Sequence, residues 1–172
     1  MGEFVRLEVD GSVATLRLDR PKMNALNVAV QEEIRAAAIE ASERSDVKAV
    51  VVYGGDGTVT QAAAGLVGTE VPLAILPGGT ANAIALALGI PTDLEAAAAL
   101  LASDELALRQ VDMGRIGDKH FLIAVGIGIP GELAENADRE AKDRLGFLAY
   151  AFSSIQAVRT VEAVQYTITV DG

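Results

Sequence analysis

Two short stretches hold residues whose types and spacing could do chemistry: Gly54-Gly55-Asp56-Gly57-Thr58, and Pro77-Gly78-Gly79-Thr80 followed by Asn82. Each ends a short apolar run and opens an alanine-rich one, "VVVY" into "VTQAAAGL" and "LAIL" into "AIALAL". That is the pattern of a strand handing over to a helix. Glycines at such a corner permit positive φ and remove Cβ atoms, so backbone N–H groups can approach an anion closely. The helix behind them adds partial positive charge at its first turn. Asp56 fits beside phosphates once a Mg²⁺ ion or an ordered water lies between them. Thr58 either caps the helix or bonds a phosphate oxygen. GGDGT alone is also compatible with a tight turn and an N-cap that bind nothing. The second glycine corner, on the next strand, favours a ligand. In an open α/β sheet ligands lie beyond the carboxyl ends of the strands, where two adjacent corners face one crevice.

The elements that must position these corners are legible around them. "FVRLEVDGSVATLRLD" alternates apolar and polar residues on both sides of Asp10-Gly11, which predicts a two-strand hairpin ended by Pro21. "NALNVAVQEEIRAAAIEASERSD" has helical spacing, with Val30, Ile34, Ala38 and Ala41 on one apolar stripe. "VKAVVVY" predicts a strand buried on both faces. A helix over about 58–68, a strand "VPLAIL", a helix ending at Leu88 before Gly89 and Pro91, and a helix over about 92–102 follow. Such alternation predicts an α/β fold with a parallel sheet covered on both faces. From about Glu105 the texture changes. "LALRQVDMGRIGDKHFLIAVGIG" predicts two longer strands joined at Gly117-Asp118. "GELAENADREAKDRLGFLAYAFSSIQAVRTV" predicts helix broken near Gly146, and "EAVQYTITVDG" a final strand. The expected domains are residues 1–108 and 109–172.

Composition bounds the function. The 172 residues are 51% hydrophobic, enough for a sizeable core. A formal net charge of -10 argues against a nucleic-acid surface, which needs clustered Lys and Arg. An acidic protein still binds nucleotides when backbone amides, helix N-termini and Mg²⁺ carry the phosphate charge. The absence of cysteine removes disulfides and thiolate metal sites and fits a cytoplasmic protein. Neither a signal peptide nor an apolar stretch of roughly 20 residues is visible. His120, the only histidine, is a poor metal or catalytic candidate. Asp112 either contacts nucleotide or stabilises the domain crossover. Glu135–Arg139 and Glu140–Arg144 read as ion pairs on a solvated helix face. Arg139, Lys142 and Arg144 are the residues that would meet lipid headgroups, and Tyr150 and Phe152 read as packing.

"VVVYGGDGTVTQAAAGLVGTEVPLAILPGGTANAIALALGIP", continued through "RQVDMGRIGDKHFLIAVGIG" and "ENADREAKDRLGFLAY", resembles the catalytic domain of the diacylglycerol kinase and sphingosine kinase family with its bacterial lipid kinases. The resemblance covers roughly residues 50 to 172. It implies a three-layer domain of NAD kinase type, a β-rich second domain that is incomplete here, and transfer of the γ-phosphoryl group of ATP to a lipid hydroxyl with Mg²⁺. Gly54, Gly55, Asp56, Gly57 and Thr58 would hold the ATP phosphates and, through Asp56, indirectly the metal. Gly78, Gly79, Thr80 and Asn82 would form the other wall. The implied partners are nucleotide and a lipid met peripherally at a membrane surface, with no nucleic acid. Two departures stand out. Gly126-Ile127-Gly128-Ile129-Pro130-Gly131 replaces the Gly-x-Gly-x-Asp-Ala the family often shows. The presumed general base lies in a late Asp-Gly-Glu segment, whereas Asp171-Gly172 match only an early strand, so weak or no turnover is expected.

Residues 3–50 resemble a different family. "VATLRLDRPKMNALNVAVQEEIRAAAIEASERSDVKAVVV", with its Arg20-Pro21-Lys22-Met23-Asn24-Ala25-Leu26 turn, is similar to the start of the enoyl-CoA hydratase/isomerase (crotonase) family. This implies a chimera, natural or engineered, in which a crotonase-like ββαβ segment, 1–50, precedes a kinase-like core, 51–108. The alternatives to a lipid kinase are a non-enzymatic chimeric product and, less favoured, a crotonase-type acyl-CoA enzyme. Exposed strand edges lead to the expectation of a homodimer.

Overall fold

The computed structural model describes residues 2–19, 26–104, 106–125, 165 and 167–170. The chain divides into two units, Met1–Ile123 and Ala124–Gly172, and every described helix and strand lies in the first. Of the second unit, residues 167–170 are exposed and make no strand pairing among the described residues, where a final strand was expected. The predicted helix over 131–161, with Glu135, Arg139, Glu140, Lys142, Arg144, Tyr150 and Phe152, lies outside the described residues. So do residues 126–131 and most of Arg20–Leu26.

Strands β1 (Val5–Asp10) and β2 (Val13–Leu18) form the expected antiparallel hairpin, closed at Gly11 with φ 57. Helix α1 (Val28–Glu43) starts at Asn27, whose side chain accepts a bond from Val30 N–H at 3.0 Å. Strand β3 (Ala49–Gly54), helix α2 (Asp56–Leu66), strand β4 (Leu73–Pro77), and helices α3 (Ala83–Leu88) and α4 (Leu94–Leu101) follow. The sheet order is β1-β2-β3-β4, with β2, β3 and β4 parallel and β1 antiparallel at one edge. The sheet is therefore mixed. Its antiparallel strand is the hairpin that leads the chain in.

Two crossovers of one hand, β2–α1–β3 and β3–α2–β4, step the same way along the sheet and so lay both helices on the same face. Val30, Ile34, Ala38 and Ala41 of α1 are each 0% exposed, as the helical period predicted. They meet Ala14, Leu16, Val50, Val52 and Ile75 from the strands, and Val59 and Ala62 from α2. Each large apolar side chain buried this way stabilises by about 1.5–3 kcal/mol. The alanines let the helices approach closely. A Cβ on Gly65 of α2 would lie 2.6 Å from the Arg35 carbonyl oxygen and 2.7 Å from Ala38 Cβ.

The opposite face is less covered at β3 and at the hairpin, which corrects the expectation of a strand buried on both faces. Strand β3 is not buried on both faces: Val50 and Val52 are fully buried, but Tyr53 is 54% exposed. At the hairpin that face carries Arg6, Glu8 and Arg17, with exposed ion pairs Arg6–Asp19 at 3.0 Å and Arg17–Glu8 at 3.7 Å. The side chains that would need covering are polar there, so no helix is required. Helix α4 packs beside β4 and buries Ala97.

Strands β5 (Gly114–Ile116) and β6 (Lys119–Phe121) make the hairpin expected at Gly117-Asp118, but each has only three residues. Residues 106–112 before it are exposed and carry no ladder among the described residues. The hairpin belongs to the first unit, and β6 packs on α2.

Candidate functional site

The two glycine corners lie together, as their sequence positions predicted. In the parallel β3–β4 ladder Gly54 stands opposite Pro77, so both strands stop at the same level. Just beyond, Gly78 N–H donates to the Gly54 carbonyl at 3.0 Å. Gly55 and Gly79 then meet backbone to backbone. A Cβ on Gly79 would fall 2.5 Å from Gly55 Cα, and one on Gly55 would fall 3.0 Å from Gly79 Cα. Positive φ plays no part at the corner glycines: the described glycines with positive φ are Gly11, Gly68, Gly89 and Gly117, none of them in either corner. What the corners require is the missing Cβ, and largely because each corner is packed against the other.

In the first corner Gly55, with extended backbone, is the N-cap of α2 and supplies no side-chain bond. Thr58 is therefore not the cap. It is 4% exposed and lies under Gly54, where a Cβ would come within 2.7 Å of its side chain. The first N–H groups of a helix have no intrahelical acceptor. Here Val59 N–H closes the first turn onto the Gly55 carbonyl at 3.0 Å. The N–H groups of Gly55, Asp56, Gly57 and Thr58 find no acceptor among the described residues. Gly57 is exposed, Gly55 and Asp56 are half-buried and Thr58 is buried, so the first three amides are the more open to an anion.

The second corner differs. Asn82 adopts a left-handed conformation, φ 49 and ψ 41, and its side chain turns back on Gly79. Its Oδ1 accepts from Gly79 N–H at 2.8 Å, and its Nδ2 donates to the Gly79 carbonyl at 2.9 Å. Both glycine N–H groups of this corner thus have partners inside the protein. Thr80 is exposed.

Asp56 joins the two. Its Oδ1 accepts from Ile84 N–H, in the first turn of α3, at 2.8 Å. Sequence reading placed Asp56 toward phosphates and metal and missed this bond, which spans 28 residues and has no local signal. Among the described residues no group of three or more His, Asp or Glu could hold a metal. Asp56 Oδ1 is already engaged by Ile84 N–H, so a Mg²⁺ ion at this corner would have to take its ligands mainly from phosphate oxygens and water. The Tyr53 ring, also unforeseen, lies against Gly78, where a Cβ would come within 2.7 Å of it. Asp112 is exposed between α4 and β5. His120 sits on β6 with Nδ1 buried and without a partner among the described residues.

Fold and site together define an α/β protein whose parallel strand β3 ends in a glycine corner with open first-turn amides on α2. Residues 8–116 match the diacylglycerol kinase catalytic domain family, and the chain belongs to that family. It is 35% identical over 125 residues to a "Probable lipid kinase YegS-like" of Pseudomonas putida, covering 72% of this chain and 41% of that relative. It is 40% identical over 144 residues to an uncharacterized protein of Synechocystis, covering 82% of this chain and 33% of that one. Among solved structures it is similar to a "putative diacylglycerol kinase" from Bacillus anthracis, with a TM-score of 0.55 and 33% identity over 78% of this chain and 43% of that one. The chain thus spans less than half the length of these relatives. Likenesses to enoyl-CoA hydratase structures are slight, with TM-scores of 0.28, 0.37 and 0.39. The family match begins at residue 8, inside the segment that resembles crotonases.

Proposed function

We propose that this chain carries the phosphate-binding part of an ATP-dependent lipid kinase, which transfers a phosphoryl group to a lipid hydroxyl. The observation that supports this best is the row of unanswered N–H groups, Gly55 to Thr58, at the end of a central parallel strand. In this reading those amides hold the nucleotide phosphates, with Gly54 and Thr58 fixing the corner beneath them. Gly78, Gly79, Thr80 and Asn82 form the opposing wall. Bound Mg²⁺ would neutralise phosphate charge, which suits a reaction that depends on positioning and electrostatics more than on covalent chemistry. The three-layer architecture, a β-rich second domain after residue 108, and peripheral encounter with a membrane belong to the same proposal. No helix among the described residues is long and apolar enough to cross a membrane. Strands β1 and β4, the sheet edges, are where self-association would occur. Separate, crotonase-like descent of residues 3–50 rests on their sequence alone.

A second, non-enzymatic reading is favoured by one observation. The contact between Gly55 and Gly79 gives both glycines a packing role that needs no ligand. Titration calorimetry with ATP and Mg²⁺, followed by label transfer from ATP to diacylglycerol in mixed micelles, separates the two. Saturable heat and labelled lipid are expected from a kinase; heat without labelled lipid leaves a nucleotide-binding protein. Absence of heat at millimolar nucleotide would remove the kinase reading.

A further inference from the structure

We propose that Asp56 is a positioning residue: its carboxylate caps α3 from the first turn of α2 and so fixes one glycine corner against the other. The functional consequence rests on the phosphate-site reading above; the cap itself does not. Ile84 is 5% exposed and its side chain belongs to the core, so its N–H cannot turn readily to water. A helix normally satisfies such an amide with its own N-cap side chain, which accepts from the second or third helical N–H. Asn82 occupies that place in α3 but makes no capping bond, because its amide is engaged on both sides of Gly79. Ile84 is the second residue of α3, and the oxygen it meets is Asp56 Oδ1, from another helix. The missing cap is supplied across the site.

The same carboxylate sits in the first turn of α2, so a single negative charge faces two helix N-termini. An incoming phosphate would therefore find the start of α3 already answered and the amides of α2 still open. Without the carboxylate, Ile84 N–H loses its acceptor, and α3 is freed to shift together with the Gly78-Gly79 turn that leads into it. The role needs an acceptor oxygen and no charge. Asparagine supplies one and alanine does not, whereas a direct metal-binding role needs the carboxylate, since hard cations favour anionic oxygen.

The test compares the full chain with Asp56→Asn and Asp56→Ala by amide hydrogen exchange at Ile84 and by ATP–Mg²⁺ titration. Asp56→Asn is expected to keep Ile84 protected and to bind nucleotide more tightly than Asp56→Ala does. Asp56→Ala is expected to exchange at Ile84 at least about tenfold faster, the scale of a lost hydrogen bond to a charged group, and to bind more weakly. Weak binding by Asp56→Asn with Ile84 still protected would overturn the proposal in favour of metal contact. Unchanged protection in Asp56→Ala would overturn the cap itself. If Asp56→Ala does not fold, the unaltered chain decides: Ile84 must stay protected when ATP and Mg²⁺ are added, and loss of protection contradicts a fixed cap. Failure of the unaltered chain to bind ATP would sink the phosphate reading and leave the exchange comparison to judge the cap.

Discussion

The two glycine corners look alike in sequence and do different work. At Gly54-Gly55-Asp56-Gly57-Thr58 an 11-residue helix begins, and its first amides are left open. At Pro77-Gly78-Gly79-Thr80 the glycine amides are closed by Gly54 and Asn82, and the helix that follows is six residues long and capped from outside. The first corner presents donors; the second holds the first in place. Gly55 and Gly79 are needed for one physical reason: their backbones approach too closely for a Cβ.

The most damaging way to break this division is Gly79→Ala. The new Cβ would lie 2.5 Å from Gly55 Cα, against backbone that cannot swing aside. A stability loss of about 1–3 kcal/mol in urea denaturation is expected, with nucleotide binding lost along with the corner geometry. Gly78→Ala sharpens the contrast, because the nearest atoms to its Cβ belong to the ring of Tyr53, a side chain 54% exposed and able to move. A change below about 1 kcal/mol is expected, and nucleotide affinity should hold. Equal damage from both substitutions would mean that the second corner is not a frame built on Gly79.

Much of this was legible in the sequence, and the rest was not for identifiable reasons. The α1 stripe of Val30, Ile34, Ala38 and Ala41 follows from the 3.6-residue period alone, and the Asp10-Gly11 hairpin from alternation and a turn glycine. The corners themselves were readable because strand, glycine and helix follow one another locally. Which sheet face is covered was not, because it depends on the direction of successive crossovers, and so Tyr53 was assigned to the interior. The function of Asp56 was half legible. Its place in the corner is local, but its partner, Ile84, is chosen by tertiary packing after Asn82 turns away.

The smallest expected effect lies far from both corners and serves as a control. The Glu33 carboxylate accepts N–H bonds from Phe4 at 2.8 Å, Glu3 at 3.1 Å and Val5 at 3.0 Å, and ties α1 to the start of β1. These bonds, that from Phe4 foremost, hold its pKa below the ordinary value of 4.5. Its folded pKa is thus lower than its unfolded one. The stabilisation is present above the ordinary carboxylate range and is lost as pH falls through the depressed value. Glu33→Gln keeps an acceptor oxygen but does not titrate. Its thermal midpoint should fall less steeply on acidification, with nucleotide binding at neutral pH unchanged; an identical acid profile would show that these bonds carry no linkage.

The most direct measurement is amide-resolved NMR of the full chain during titration with ATP and Mg²⁺. If the corners divide the work as described, the N–H resonances of Gly55, Asp56, Gly57 and Thr58 shift strongly, while those of Gly78 and Gly79 move little. Strong shifts at Gly78 and Gly79 with silence across Gly55 to Thr58 would contradict it.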